Sequence, residues 1–519
     1  MSNRHTSVVL LSLAFAGVAR AALAAAPVDE RIFAGKGPGE TASVLVVMRE
    51  QTDLSAAEAI ADPEGRRRFV FEALRAQAEI SQRPLVERLG RAGLRYRSFY
   101  LVNMLEVEAD RSLANELARR ADVSSLAANL PAALAQQPRF EEAERRSSLS
   151  TPSTVEPNVA KIRAPEVWAM GFTGQGIVVG VADTGLTWDH PALKPHYRGF
   201  DGVSVSHDYN WHDAVHNAAS GNMCGSDSPS PCDDDTDAGG HGTATSGLIV
   251  GDEGDSKIGV APGARLIACR NMDAGDGTPA RYAECFEFFL APTDRNGQNP
   301  RPDLGAHVIN NSWGCWISEG CTDPNLLKAV VENTRAAGLF IVTSAGNDGR
   351  LGCSSVSDPP AIYEASFSVG AITLDDAIAD YSSRGPVTRD GSGRLKPDVV
   401  APGVLVRTSA RPSGYQLFSG TSASSPHVAG AVALLWSAVP SLRGQPSESA
   451  DILRHASTPL TSLQTCGSFP GAAVPNAVFG WGRIDIKAAV AQAVPTPRAR
   501  PQPPARLPRT PRALPPRGQ

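Results

Sequence analysis

The chain has 519 residues, and because one hydrophobic core rarely grows past about 250–300 residues, at least two folding units are expected. Apolar residues make up 42%, too many for a disordered chain, and 49 basic against 54 acidic residues give a net charge of −5, without the basic excess of a nucleic-acid-coating protein. No apolar run of about 18 or more uncharged residues occurs beyond the N-terminus, which excludes a multi-span membrane protein.

In chain order, residues 1–26 read as a secretory signal peptide. Arg4 and His5 precede the apolar run Val8–Val18, and Arg20 precedes AALAAAP, in which Ala22-Leu23-Ala24 and Ala24-Ala25-Ala26 are cleavage triplets. A lone membrane anchor would need a longer run. The expected destination is extracellular, or the periplasm. Residues 41–131 form a cysteine-free block. Within it Val44–Met48 reads as a strand, Glu64–Arg91 as a helix through Phe69, Leu74 and Leu85, and Tyr100–Val107 as a second strand. Ser112–Arg120 reads as a second helix and Val123–Leu126 as a last strand, together a small α+β sandwich of ferredoxin-like type. Residues 132–154 are a polar linker open to proteolysis. From 155 to 492, apolar strands alternate with helical segments, the pattern of an α/β, doubly wound parallel sheet with helices on both faces. Residues 493–519 carry nine prolines and six arginines and cannot build a core, so a disordered tail is expected.

All eight cysteines fall between Cys224 and Cys466. An even number in an exported chain points to disulfides, and no C-x-x-C pair is present to start a zinc site. Short loops favour Cys224–Cys232 and Cys315–Cys321, Cys269–Cys285 is compatible, and Cys353–Cys466 follows by elimination.

Three motifs carry chemistry. In IVVGVADTG (177–185) a β-branched run ends at Asp183, which puts a carboxylate at the carboxyl end of a buried strand, where sites gather in open α/β sheets. In GGHGTATSG (239–247) His241 opens a helical segment between glycines. In SGTSASSPHVAG (419–430) Ser422 sits where a glycine turn enters an apolar helix, with Pro426 placed in the first turn. Each also has an ordinary reading: a turn aspartate, an incidental loop histidine, a serine N-cap. The chain order Asp183, His241, Ser422 is that of subtilisin.

With IGVAPGARLIA (258–268), HVINNSWG (307–314), TSAGNDG (343–349), LKPDVVAPG (395–403) and FGWGRIDIKAAV (479–490), these strings resemble the subtilisin-like serine protease family over about 155–492. LAPTDRNGQNPRPDLGAHVINNSWG (290–314) resembles the secreted bacterial bacillopeptidase F type. The resemblance implies a subtilisin-like catalytic domain preceded by an inhibitory propeptide at 41–131. It implies a secreted endopeptidase with Ser422 as nucleophile, His241 as base, Asp183 orienting the imidazole, and Asn347 with the Ser422 N–H as oxyanion donors. Ser312, Trp313 and Gly314, and Ser344, Ala345 and Gly346, match the substrate-binding edges. Asn310 and Asn311 are assigned to structure. Asp348 falls at the rim and Asp358 near the base of the pocket for the residue before the scissile bond, although Asp358, followed by Pro359-Pro360, equally reads as a turn residue facing solvent; a basic residue before the bond is one expectation and a large apolar one the other.

The sequence also departs from the family pattern. Ala423 follows the nucleophile, Ala244 and Thr245 follow His241, and Ala192 stands where relatives carry a calcium-binding aspartate. No cofactor is required and no metal ligand is assigned; a structural calcium stays open. Asp233, Asp234, Asp235 and Asp237 read as a solvated acidic loop or, in the alternative, a hard-cation site. Expected partners are peptide substrates and the chain's own propeptide, with no nucleic acid, no membrane span and a monomeric state. The rival functions are an inactive binding protein and an esterase or acyltransferase on the same scaffold.

Overall fold

The computed structural model describes residues 25–130, 154–235 and 239–494. The signal peptide (up to residue 24), the linker (132–153), Asp237 and the tail from 495 onward lie outside the described residues.

The N-terminal block runs β1 (Ala42–Met48), α1 (Pro63–Arg91), β2 (Tyr96–Phe99), β3 (Met104–Ala109), α2 (Arg111–Ala118) and β4 (Val123–Ala128). The sheet order is β2-β3-β1-β4 with antiparallel pairing, a βαββαβ sandwich. Helix α1 begins cleanly because Asp62 accepts from Gly65 N and Pro63 occupies its first turn. Of the strand expected over Tyr100–Val107 only Met104–Val107 is strand, the start of β3; Tyr100–Asn103 is the turn that joins it to β2, a strand that was not expected. Leu101 and Val102 are buried although they sit in a turn, because that turn docks on the second domain. Its apolar residues answer to a tertiary surface and not to a strand's period.

The second domain contains α3 (Pro157–Lys161), α4 (Ala164–Trp168), β5 (Val178–Asp183), β6 (Trp211–Asp213), α5 (His241–Val250) and β7 (Arg265–Arg270). After the short pair β8 (Met272–Asp273) and β9 (Asp276–Gly277) come α6 (Pro279–Leu290), β10 (Val308–Asn311), α7 (Lys328–Ala336), β11 (Phe340–Ser344) and β12 (Phe367–Ile372). Then follow β13 (Val399–Pro402), the hairpin β14 (Val406–Ala410) and β15 (Gly414–Phe418), α8 (Thr421–Ala438), α9 (Pro446–Ala456) and α10 (Ile486–Ala493). Seven parallel strands are ordered β13-β12-β11-β10-β5-β7-β6. The strands are β-branched and buried on both faces, as a parallel sheet covered by helices requires. One core joins α5 and α8 to one face, and the other joins α6 and α7 to the opposite face. Helix α8 is apolar and buried all round, the signature of a helix inside a core.

Strand order reverses direction between β5 and β10, and in such sheets a crevice opens at the carboxyl ends of those two strands. Asp183 ends one and Ser312 follows the other.

The four disulfides are Cys224–Cys232, Cys269–Cys285, Cys315–Cys321 and Cys353–Cys466, with Cα–Cα separations of 5.8, 5.6, 5.8 and 5.4 Å. These are the pairings expected from loop length and elimination. No described helix is long and apolar enough to cross a membrane.

Candidate active site

Asp183 is fully buried, and its Oδ1 lies 2.7 Å from Nδ1 of His241, the first residue of α5. Oδ1 also accepts from the Thr184 N–H at 2.8 Å, and Oδ2 accepts from Thr245 Oγ1 at 3.3 Å. A carboxylate held by three groups fixes the imbedded imidazole in one orientation. The edge of the His241 ring meets Phe418 with centroids 5.4 Å apart.

Ser422 is at the second position of α8 and Gly420 is its N-cap, so the N-cap reading of Ser422 does not hold. Pro426 lies in the second turn, not the first. A proline there has no N–H to give to the carbonyl four residues back, which is that of Ser422. Ser312 Oγ supplies the missing donor at 3.1 Å, and Ser422 Oγ in turn donates to the Ser312 carbonyl at 3.1 Å. The first turns of α5 and α8 meet in one cluster of Ala244, Leu248, Val406, Phe418 and Ala423. Ala244 and Ala423, two of the departures from the family pattern, thus share one small apolar cluster.

Asn347 Oδ1 accepts from the Thr421 N–H and Oγ1, both at 2.9 Å, which turns its Nδ2 toward the Gly420–Ser422 turn. Gly346, at φ 100°, donates its N–H to Thr421 Oγ1 at 3.2 Å, so TSAGN and GTS are joined directly. Ser344 and Ala345 are buried at the end of β11. Ser312 Oγ also meets Ser425 Oγ at 2.9 Å. Trp313 points inward: its Nε1 donates to the Ala182 carbonyl at 3.1 Å and its ring stacks on Tyr282 at 3.8 Å. What segment 312–314 can offer a bound peptide is its backbone. Asn310 Nδ2 donates to Ser312 Oγ at 2.9 Å, and Asn311 Nδ2 to the Val342 carbonyl at 3.2 Å, bonds that brace the strand end.

Asp358 lies against Gly314, where an added Cβ would come 3.1 Å from the Asp358 Cβ. Arg389 Nη1 donates to Asp358 Oδ1 at 2.9 Å. Burial pushes the Asp358 carboxyl up to about 6, Arg389 opposing and Asp348 adding to the rise. Burial also raises Asp348. Asp358, which the sequence leaves between a pocket carboxylate and a turn residue facing solvent, is in an ion pair with Arg389, the residue that sequence reading missed.

The described part of the acidic run is not a solvated loop. Asp233, Asp234 and Asp235 are all buried, each with 7% or less of its surface exposed. Asp233 binds Thr184 and Thr243, and Asp234 pairs with the buried Arg270 at 3.2 Å, as does Asp213 at 2.9 Å. Burial, the largest cause, pushes the Asp234 carboxyl up to about 6. Among the described residues no group of three or more His, Cys, Asp or Glu is arranged to hold a metal ion. At the position of Ala192, the backbone N–H donates to His190 Nδ1 at 3.1 Å.

The N-terminal block packs on α6 and α7. Glu287 Oε1 accepts the Tyr100 and Leu101 N–H groups at 2.5 and 2.7 Å, and Glu284 pairs with Arg97. His212 and His216 face the same Glu284 at 2.8 and 2.9 Å. Asn333 Nδ2 donates to the Leu101 carbonyl at 2.7 Å, Asn129 Oδ1 accepts from Ala280 N at 3.1 Å, and Leu130 N donates to the Glu319 carbonyl at 3.1 Å. Two acidic residues three apart, Glu284 and Glu287, on the mostly apolar PARYAECFEFFL were the readable signal for this contact.

The Subtilase family profile matches residues 174–482. Bacillopeptidase F of Bacillus subtilis (strain 168) is 34% identical over 469 residues, which cover 87% of this chain and 30% of that protein. Subtilisin DY of Bacillus licheniformis is 31% identical over 291 residues, 56% of this chain and 87% of that protein. Subtilisin E of Bacillus subtilis (strain 168) is 30% identical over 284 residues, 54% of this chain and 61% of that protein. The chain thus spans less than a third of the length of bacillopeptidase F.

Proposed function

This chain belongs to the subtilase family, and from that premise we propose that it is a secreted serine endopeptidase made as a zymogen. Ser422 attacks the peptide carbonyl while His241 takes its proton and later returns it to the leaving amine. Asp183 holds the imidazole by its Nδ1 and stabilises the cation that forms. The oxyanion is received by Asn347 Nδ2 and the Ser422 N–H, a donor at the start of a helix where the dipole favours negative charge. Water then resolves the acyl-enzyme. Peptide substrate is carried along the backbone edges at Ser312–Gly314 and Ser344–Gly346.

The observation that carries this reading is the 2.7 Å contact between a fully buried Asp183 and His241, on an α5 turn that packs against the turn of Ser422. Residues 41–131 serve as intramolecular inhibitor and folding partner, supported by their docking on α6 and by Leu130, just after β4, donating to the carbonyl of Glu319, whose carboxylate accepts from Tyr282. Export through a signal peptide at 1–26, cutting of the linker 132–154, a monomeric enzyme and independence from cofactors complete the proposal. Four disulfides fit an oxidising compartment.

Secreted protein should cleave a denatured protein and be labelled by a serine-directed fluorophosphonate. Ser422→Ala should do neither, and should accumulate as a larger precursor when no other protease is present. Labelling without proteolysis would favour an esterase. Normal processing of purified Ser422→Ala would rule out self-cleavage.

A further inference from the structure

We infer that Asp233 is a positioning residue for the Asp183–His241 pair, capping the helix that begins at His241 and tying it to the turn that carries Asp183. This rests on the proposed serine protease reading and adds a residue to it.

Helix α5 starts with a gap in its own capping. Its N-cap is Gly240, which has no side chain to accept the first-turn N–H groups that every helix leaves without an internal partner. Both acceptors come from elsewhere in the chain. Thr184 Oγ1, next to Asp183, accepts the Gly242 N–H at 2.9 Å. Asp233 Oδ2 accepts the Thr243 N–H at 2.8 Å and the Thr243 hydroxyl at 2.6 Å. Asp233 Oδ1 accepts the Thr184 hydroxyl at 2.8 Å, which closes a ring through both catalytic turns, and the Asp235 N–H at 3.4 Å. Four donors fill the acceptor capacity of one carboxylate, and an anion at a helix N-terminus is favoured by the dipole.

The ring leaves no slack. A side chain at Gly240 would collide with the Asp233 carboxylate, and one at Gly242 with the Gly185 carbonyl. Asp233 is 3% exposed. Its backbone is held from behind, because Cys232 is tied to Cys224, the Cys232 carbonyl packs against Gly185, and Arg411 donates to the carbonyls of Asp233 and Asp235. Asp183 and His241 are 58 residues apart in sequence and meet at one bond. Small errors in such a contact cost catalysis more than binding, since a misaligned base is still compatible with substrate docking.

The experiment compares wild type, Asp233→Asn, Thr243→Ser and Thr243→Val as full-length secreted proteins, with kcat expressed per fluorophosphonate-titrated site. Asn replaces one acceptor oxygen with a donor and should lower kcat by about tenfold or more while KM stays within about twofold. Thr243→Ser keeps both donors and should match wild type, whereas Thr243→Val should lose part of kcat. Thr243→Val removes the hydroxyl that donates to Asp233 and accepts the Thr187 N–H at 3.0 Å, and no charge, so it decides the matter if Asp233→Asn does not fold. Wild-type kcat in both Asp233→Asn and Thr243→Val, or a loss carried by KM alone, would overturn the assignment. Equal loss in Thr243→Ser and Thr243→Val would do so as well. Absence of proteolysis in wild type would instead sink the underlying reading.

Discussion

Glu287 projects from α6 to the turn of the N-terminal block, and one oxygen, Oε1, accepts both the Tyr100 and Leu101 N–H groups. Burial pushes its carboxyl from the ordinary 4.5 up to about 8; the two N–H groups and Arg97 oppose the rise and Glu284 adds to it. When the block leaves, water returns and the carboxyl falls back toward 4.5. Docking therefore takes up a proton between pH 4.5 and about 8 and weakens as pH rises through that window. Glu287→Gln retains an Oε1 acceptor without the titration, so its docking should be flat across the window and tighter than wild type at the upper end. Glu287→Ala strips the acceptor from two buried N–H groups, at about 1–3 kcal/mol for each and less than additive in sum. A total of about 2–4 kcal/mol corresponds to docking about 30- to 1,000-fold weaker. The assay is the lag before peptide hydrolysis when freshly self-processed protein is diluted at pH values between about 5 and 9. Wild type should show a lag that shortens with pH, Gln a lag that does not, and Ala almost none. If Gln behaves like Ala, or if the wild-type lag is the same across the window, the proton on Glu287 has been misplaced.

Two further substitutions probe the site itself. Asn347→Ala removes the proposed side-chain oxyanion donor and should lower kcat about 10²–10³-fold with KM little changed, the magnitude known for the matching donor in subtilisin; steady-state kinetics on one peptide decide it, and an unchanged kcat would disprove the role. Arg389→Ala strips the counter-ion from Asp358 and should shift preference toward Lys or Arg before the scissile bond, strengthened by partial burial of the carboxylate. A peptide library varied at that position, read before and after the change, would refute this if the basic-to-apolar ratio stays put.

Much of the architecture is written locally. The run Ile177–Ala182 is apolar without alternation, which a strand covered on both faces demands, and it stops at a carboxylate followed by Gly185, where the chain turns at φ 127°. The sequence could not choose among the possible pairings: short closures favoured the disulfides across 6 and 8 residues, the one across 16 was only compatible, and the last, 113 residues apart, followed only by elimination. The three motif strings and their order carried the family and the triad expectation.

Other features depend on partners that no sequence window contains. YLVNMLEV reads as one strand by its apolar residues, yet Leu101 and Val102 are buried by docking on α6 and α7 while their backbone turns. Pro426 sits deep in α8 because Ser312, 110 residues earlier, supplies a donor to the carbonyl it leaves open. Asp233 and Asp234 look like a solvated run, since four aspartates in five residues ordinarily repel one another into water. Their donors come from Thr184, 49 residues earlier, and Arg270, 36 residues later. Asp358 was placed near the pocket base, but its neutralising Arg389 lies 31 residues on. Hydrophobic period and backbone preference are properties of neighbouring residues, so the sequence alone determines the alternation of strands and helices. Whether a charge can be buried is settled by the donors that converge on it from separate turns, and only the packed sheet with its loops brings those donors together.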